Sequence, residues 1–199
     1  MTAKRHAPAA LANREALLAA LRGLLPARGT VLELGSGTGE HVVWLARHLP
    51  GLTFRPSDPD EAARASIAAW SEEAGLENLR PPLNLDLTLA TWWGQRADAI
   101  LCVNVLHLLP PAAQGALAAG AARVLPPGGA LCVCGPFRQA GAPAPARLED
   151  LDRRLRAASP AFGVRDAEAL ERAGRLAGLA PAGRVEMPEG DLLVVLRPA

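Results

Sequence analysis

Apolar positions recur along this chain at helical spacing in some stretches and as short unbroken runs in others, and the two kinds take turns. PAALANREALLAALRGLLP (8–26) sets Leu11, Leu18, Leu21 and Leu25 near one side of a helix, closed by Pro26 and Gly29. TVLEL (30–34) is a short apolar run ending at glycines and reads as a strand, and HVVWLARHL (41–49) is helical up to Pro50 and Gly51. LTFRPS (52–57) is a weaker strand. DPDEAARASIAAWSEEAG (58–75) is a helix with an aspartate near its cap, an early proline and a terminal glycine. PPLNLDL (81–87) is a third strand and ADAILCVNVLHL (97–108) contains a fourth. PPAAQGALAAGAARVL (110–125) is helical, PPGG (126–129) turns, and ALCVCGP (130–136) is a fifth strand.

Strand and helix alternate to about residue 136, the signature of a parallel sheet with helices on both faces. After a small-residue loop (138–147) come two amphipathic helices, 148–160 and 166–179. GRVEMP (183–188) and DLLVVLRP (191–198) then pair as strands across Glu189-Gly190. The expected fold is α/β and doubly wound: a mostly parallel seven-stranded sheet with a C-terminal antiparallel hairpin. Neither a repeat nor a linker divides it. One domain over 1–199 is expected, with a helical segment at 1–29, a ligand-binding core at 30–136, and helices plus the final hairpin at 137–199.

Composition narrows the partners. The chain has 199 residues, half of them apolar, with 21 basic against 20 acidic side chains and a formal net charge of +1. That balance lacks the basic excess of a broad nucleic-acid footprint, so no nucleic-acid partner is expected. No run reaches the roughly 18 apolar residues of a membrane span, and MTAKRHAPAALANRE has no signal-peptide core, so neither a membrane nor a secretory context is expected. Cys102, Cys132 and Cys134 lie in apolar runs; an odd count without a secretory signal suggests reduced thiols and a cytoplasmic location. Cys132 and Cys134 lack a second ligand pair and fit one face of a buried strand, so no metal site is expected.

The candidate chemistry sits in VLELGSGTGE (31–40), where Gly35, Gly37 and Gly39 follow a strand and precede a helix. Bare backbone and unpaired helix N–H groups there can meet a polar ligand. A dinucleotide fingerprint needs a sixth-position glycine, and counting from Gly35 that position is Glu40. A P-loop needs Gly-Lys-Ser/Thr, and no lysine follows. Glu33, two residues before Gly35, suits a cationic group, and an unpaired acid at the end of a buried strand would be costly. S-adenosylmethionine fits these demands: it has an ammonium and a sulfonium, no phosphate, and a ribose diol. Asp58 or Asp60 in PSDPD, about 20 residues beyond the loop, suits the diol; Asp58 equally suits a helix N-cap before Pro59. Asp86, ending the 81–87 strand, stands at the level of an adenine amino group and equally suits a turn.

ELGSGTGEH resembles motif I of the class I S-adenosylmethionine-dependent methyltransferases. More narrowly, PAALANRE (8–15), VLELGSGTGEHVVWLARHLP (31–50), PSDPD (56–60), RPPLNLDLT (80–88), CVNVLHLLP (102–110), AARVLPPGGALCVCGPF (121–137) and FGVRD (162–166) together resemble the methyltransferase-like 26 family, also filed as domain of unknown function 938. The resemblance implies a Rossmann-like methyltransferase domain that binds S-adenosylmethionine through Glu33, Gly35, Ser36, Gly37, Gly39, Asp58, Asp86 and Asn104, with Asn13 near the pocket. The chain departs from that family's pattern at Arg147-Leu148 and Gly190-Asp191, two segments expected on the acceptor side.

Methyl transfer from a sulfonium needs alignment first, and a base only where the nucleophile must lose a proton. His107, after the fourth strand, is the candidate base, or else a packed corner histidine; His41 is read as structural. Asn13 and Arg138 are candidate acceptor contacts, Arg138 for an acidic acceptor. Arg165 with Asp166 suits the same task or a helix-pinning pair, and Trp92-Trp93 covers the pocket or anchors a loop. The expected function is methyl transfer to a small-molecule acceptor; the rival is a scaffold or sensor that binds S-adenosylmethionine without turnover.

Overall fold

The structure is a computed structural model describing residues 3–199; Met1 and Thr2, part of the expected N-terminal segment, lie outside the described residues. Helix α1 (Pro8–Arg22) leads into β1 (Gly29–Leu34), α2 (Glu40–His48), β2 (Leu52–Ser57), α3 (Glu61–Ala74), β3 (Ala99–Val103), α4 (Ala113–Val124) and β4 (Ala130–Gly135). Then follow β5 (Phe137–Arg138), α5 (Ala146–Ala158), β6 (Arg165–Asp166), α6 (Ala167–Ala177), β7 (Leu179–Glu186) and β8 (Leu192–Pro198). The main sheet has six strands in the order β2-β1-β3-β4-β8-β7. β1 lies parallel to both β2 and β3, β3 is parallel to β4, and β8 runs antiparallel to β4 and β7. The doubly wound α/β expectation holds.

Side chains alternate along the strands and divide the core into two layers. Leu32, Leu34, Ile100, Cys102, Leu131 and Val133 pack with α4 and α6. Val31, Leu101, Val103, Cys132 and Cys134 pack with α1, α2 and Ile67 of α3. Cys132 and Cys134 therefore share one buried face, as their spacing suggested, and all three cysteines are free. Among the described residues no helix is long and apolar enough to cross a membrane.

The sheet has six strands rather than seven because the segment at 81–87 is not one. It follows the outer edge of β2 through isolated bridges, Phe54 to Leu79 and Ser57 to Leu83. Phe54 N–H donates to Asn78 and its carbonyl accepts from Arg80; Leu83 N–H donates to Pro56, and Asp58 N–H to Leu83. Between these bonds Pro56, Pro81 and Pro82 have no N–H to give, so a continuous ladder cannot form.

Two other elements differ from expectation. β7 begins at Leu179, not Gly183; its register shifts between Pro181 and Gly183 and it lies mostly exposed at the sheet edge, which erases the alternating pattern. β5 and β6 form a separate two-stranded parallel sheet too short to leave a periodic signal.

Trp92, fully buried, donates its indole N–H to the Leu87 carbonyl at 3.1 Å and packs in the α4 layer, so the Trp92-Trp93 pair anchors a loop. A Cβ on Gly120 of α4 would stand 2.1 Å from the Trp92 ring and 2.6 Å from Trp93 Nε1. Alanine gains up to about 1 kcal/mol of helix propensity there, but overpacking a filled core costs about 1–3 kcal/mol. Gly120→Ala should therefore destabilise the protein in urea unfolding; a stability gain would mean that the tryptophan loop yields freely.

Candidate active site

The carboxyl ends of β1, β2 and β3 converge on the glycine turn at 35–39. Fully buried Ser57, the last residue of β2, locks that turn in place: its carbonyl accepts from Ser36 N–H at 2.8 Å, its N–H donates to Ser36 Oγ at 3.1 Å, and its hydroxyl donates to the Glu33 carbonyl at 2.7 Å. Gly35, Gly37 and Gly39 all have positive φ. Gly39 (φ 94) caps α2, and a Cβ there would strike the α3 backbone 2.9 Å away at Ile67. Gly37 (φ 56) is different: a Cβ would meet nothing within 4 Å, so the backbone is bare toward open space.

Glu33 is 1% exposed, paired on both sides by β2 and β3, and its Oε2 has no hydrogen-bond partner among the described residues. Burial pushes its carboxyl up to about 7; the Ser36 hydroxyl opposes the rise and the nearby Asp58 adds to it. A buried acid left this way is costly to the fold.

Asp58 accepts from Gly37 N–H through Oδ2 at 2.9 Å and from Asp60 N–H through Oδ1 at 3.0 Å. The cap of α3 is Asp60, whose side chain accepts from Ala62 N–H; Asp58 is instead fixed against the glycine turn. Asp86 accepts from both the N–H and the hydroxyl of Thr88 through Oδ1 (2.8 and 2.6 Å), so the turn role foreseen for it is present. Glu40, which counted against a phosphate, has a positive task. It accepts from Ala7 N–H at 2.5 Å, from the Thr38 hydroxyl at 3.1 Å, and faces His6 Nδ1 at 3.2 Å, clamping the segment before α1 against the start of α2.

A cavity of about 200 Å³ opens beside the end of β3, and Asn13, Asn104, His107, Arg147, Glu189 and Asp191 supply its polar lining. Asn104 adopts φ 58, a left-handed conformation that asparagine tolerates, and its N–H donates to the Cys134 carbonyl. Asn13 is 6% exposed; its Oδ1 meets His41 Nε2 at 2.7 Å, and since an amide oxygen only accepts, His41 donates. Burial pushes His41 down to about 4 against the pull of Glu40, which keeps the ring neutral in that structural bond. His107 is likewise lowered to about 4, by burial and then by the positive Arg165. It is neutral near pH 7 and able to take a proton, though a weak base.

Asn13, Asn104 and His107 thus come together, but Arg138 does not join them. It lines the neighbouring cavity, and its guanidinium pairs with Asp152 at 3.0 Å and Glu149 at 3.5 Å. Arg165 is buried and donates to the carbonyls of Leu106, Leu109 and Ala161, so it pins the segment around His107. The arginine at the Asn104 cavity is Arg147, which the site reading did not include, with Glu189 and Asp191. The one sequence signal for these residues was the pair of departures at Arg147-Leu148 and Gly190-Asp191, and in space they touch: Arg147 Nη1 lies 3.4 Å from Asp191 Oδ1.

The family model described as "Protein of unknown function (DUF938)" matches residues 4–197. Among solved structures, the chain is similar to the mitomycin 7-O-methyltransferase MmcR (TM-score 0.81, 17% identity, covering 96% of this chain and 54% of that one). It is also similar to an O-methyltransferase family protein from Burkholderia thailandensis (TM-score 0.77, 20% identity, 94% and 58%). A third is CalO1, a methyltransferase in calicheamicin biosynthesis, in its SAH-bound form (TM-score 0.74, 23% identity, 93% and 53%). The chain spans a little over half the length of these proteins, and at such identities the likeness establishes a shared fold.

Glu33 gives the site a pH signature. Its folded-state pKa, about 7, lies above the ordinary 4.5, so the ligand-free protein is favoured below pH 4.5 and loses that contribution as pH rises through 7, by on the order of 3 kcal/mol. Glu33→Gln should match the parent near pH 4.5 and exceed it in urea stability at pH 8. Parallel stability profiles would place the carboxylate in a compensated environment.

Proposed function

The chain belongs to the DUF938 family of proteins of unknown function, and from that premise we propose that it binds S-adenosylmethionine and transfers the methyl group to a small molecule. The observation that carries this reading is the orphaned Glu33 Oε2, buried at the end of β1 beneath a glycine turn whose Gly37 faces open space. An ammonium placed there gives the carboxylate the partner that the protein withholds, and an opposite charge at that distance returns it to the ionised form.

The remaining groups fit the rest of the ligand. Asp58 is oriented by two backbone N–H bonds and keeps lone pairs for a ribose diol. Asp86 has spent Oδ1 on Thr88 and keeps Oδ2 for the adenine amino group. The turn Gly35-Ser36-Gly37 contributes bare backbone, and Asn104 stands where this site meets the acceptor cavity. When bound, the sulfonium supplies an activated methyl group. The chain's own work is then alignment: Asn13 and Asn104 hold the acceptor, and neutral His107 receives a proton where the acceptor is a hydroxyl. The methyltransferases that share this fold, the mitomycin 7-O-methyltransferase among them, support a small-molecule acceptor. The narrower kinship with methyltransferase-like 26 proteins, the single-domain organisation and a cytoplasmic location with reduced thiols belong to the same proposal.

Calorimetry with S-adenosylmethionine tests the donor site. Gly37→Val and Asp58→Ala should each weaken binding by about tenfold or more, about 1.4 kcal/mol, with unchanged circular dichroism. Normal binding by both variants would move the site elsewhere. A methyl-release assay over a metabolite panel then separates an enzyme from a sensor: tight binding without turnover on any acceptor would favour the sensor. For a turned-over acceptor, His107→Asn should lower the rate and leave donor affinity intact; an unchanged rate would reduce His107 to a packing residue.

A further inference from the structure

The acceptor cavity holds a charge pattern that methyl transfer alone does not explain. Arg147 lines the cavity, Arg165 lies behind His107 and Arg138 lines the neighbouring cavity, and each is already engaged. Arg138 belongs to Glu149 and Asp152, and Arg165 to backbone carbonyls. Arg147 is held twice by Glu189, through its carbonyl at 2.6 Å and its carboxylate at 2.7 Å. Glu189 itself sits at φ 62, a left-handed position that the double contact helps to hold.

Asp191 is placed differently. It is 8% exposed and faces the cavity, while the side chains of Arg147 and Glu189 are 43% and 57% exposed. Among the described residues its carboxylate has one polar partner, Arg147 Nη1 at 3.4 Å, which is long for a hydrogen bond and comes from a nitrogen whose shorter bond goes to the Glu189 carbonyl. Burial raises the Asp191 pKa, Arg147 opposes the rise, and Glu189 adds to it. The inner wall therefore carries a buried carboxylate whose one ion-pair partner is distant, beside the uncharged side chains of Asn13 and Asn104. An anionic ligand would face this carboxylate where the one lining arginine, Arg147, is already shared between two acids.

Resting on the methyl-transfer reading, we infer that Asp191 is the specificity-determining residue of the acceptor cavity, and that the acceptor is a small molecule presenting a protonated amine to it. Asp191 acts in recognition: it binds the amine and takes no part in the transfer. The volume of about 200 Å³ suits a single substituted ring or a short chain. An ammonium there supplies the close, charge-assisted hydrogen bond that Arg147 does not make.

Titration calorimetry with benzylamine and benzoate, matched in size and opposite in charge, tests this on the protein saturated with S-adenosylhomocysteine and on the unloaded protein. Benzylamine should bind, and at least about tenfold more tightly than benzoate. Asp191→Asn, nearly isosteric, should weaken benzylamine about tenfold without lowering S-adenosylhomocysteine affinity or Tm. Arg147→Ala should strengthen benzylamine binding about two- to fivefold by removing the competing cation. The inference is overturned if benzoate binds as tightly, if benzylamine shows no binding at millimolar concentration, or if Asp191→Asn leaves its affinity unchanged. Failure of the parent to bind S-adenosylhomocysteine would sink the methyl-transfer reading instead, and the titrations of unloaded protein would still decide the role of Asp191.

Discussion

Much of this molecule depends on how Ser57 closes the end of β2 onto the end of β1. Its three hydrogen bonds, two to Ser36 and one to the Glu33 carbonyl, are made by a residue with no solvent exposure. Buried bonds of this kind contribute only about 1 kcal/mol each when made, but leaving their groups unpaired costs more. Ser36 therefore has one position, and the glycine turn leaves the sheet in one direction. Glu33 and Asp58, on either side of the lock, inherit fixed places from it. Asp58 adds a bond to Gly37 N–H, so the two strand ends and the turn form one rigid unit before any ligand arrives. Such pre-organisation reduces the ordering cost of binding.

The fold was legible wherever local pattern and long-range pairing agree. β1, β3, β4 and β8 are buried apolar runs, and α1 to α4 carry helical spacing between clear stops, so alternation alone implied a parallel sheet. The segment at 81–87 was misread because its composition looks like a strand, whereas pairing depends on donors that Pro81, Pro82 and, across the gap, Pro56 lack. No pattern confined to one segment reveals that its partner is also missing a donor. β7 was misplaced for a related reason: the irregularity at Pro181/Gly183 breaks the alternation by which a strand is recognised.

At the site, the residues legible in the sequence were those tied to their own strand ends: Glu33, the three glycines, Asp58 and Asn104. Their placement follows from position along one element. The cavity wall is another matter, since Arg147 opens a helix and Glu189 and Asp191 precede the last strand, more than forty positions away. Arg138 was a reasonable expectation because it directly follows GPF, but α5 brings Glu149 and Asp152 against it, and an arginine with two carboxylate partners has little left for a ligand. Which arginine reaches the cavity and which acid is left with a distant partner is decided by packing between distant segments, and no spacing rule contains that information.

The two incompletely paired acids, Glu33 and Asp191, have different physical standing, and the difference bears on how the site is built. Glu33 is fixed near the end of β1 between β2 and β3; it cannot move toward water, so its cost is removed only by protonation or by a cation brought to it. Asp191 sits at the start of β8 with Arg147 within a weak 3.4 Å approach, so part of its charge is already offset and a ligand gains only the remainder. Each incompletely paired carboxylate lowers the stability of the ligand-free fold, and the same deficit is what a cationic group would draw on in binding. A protein that satisfied both acids internally would be more stable and would have nothing to offer at either place. Keeping Arg147 on Glu189, at the outer rim, leaves the inner acid of the cavity under-satisfied, and that division of one guanidinium between two acids gives the cavity its sign.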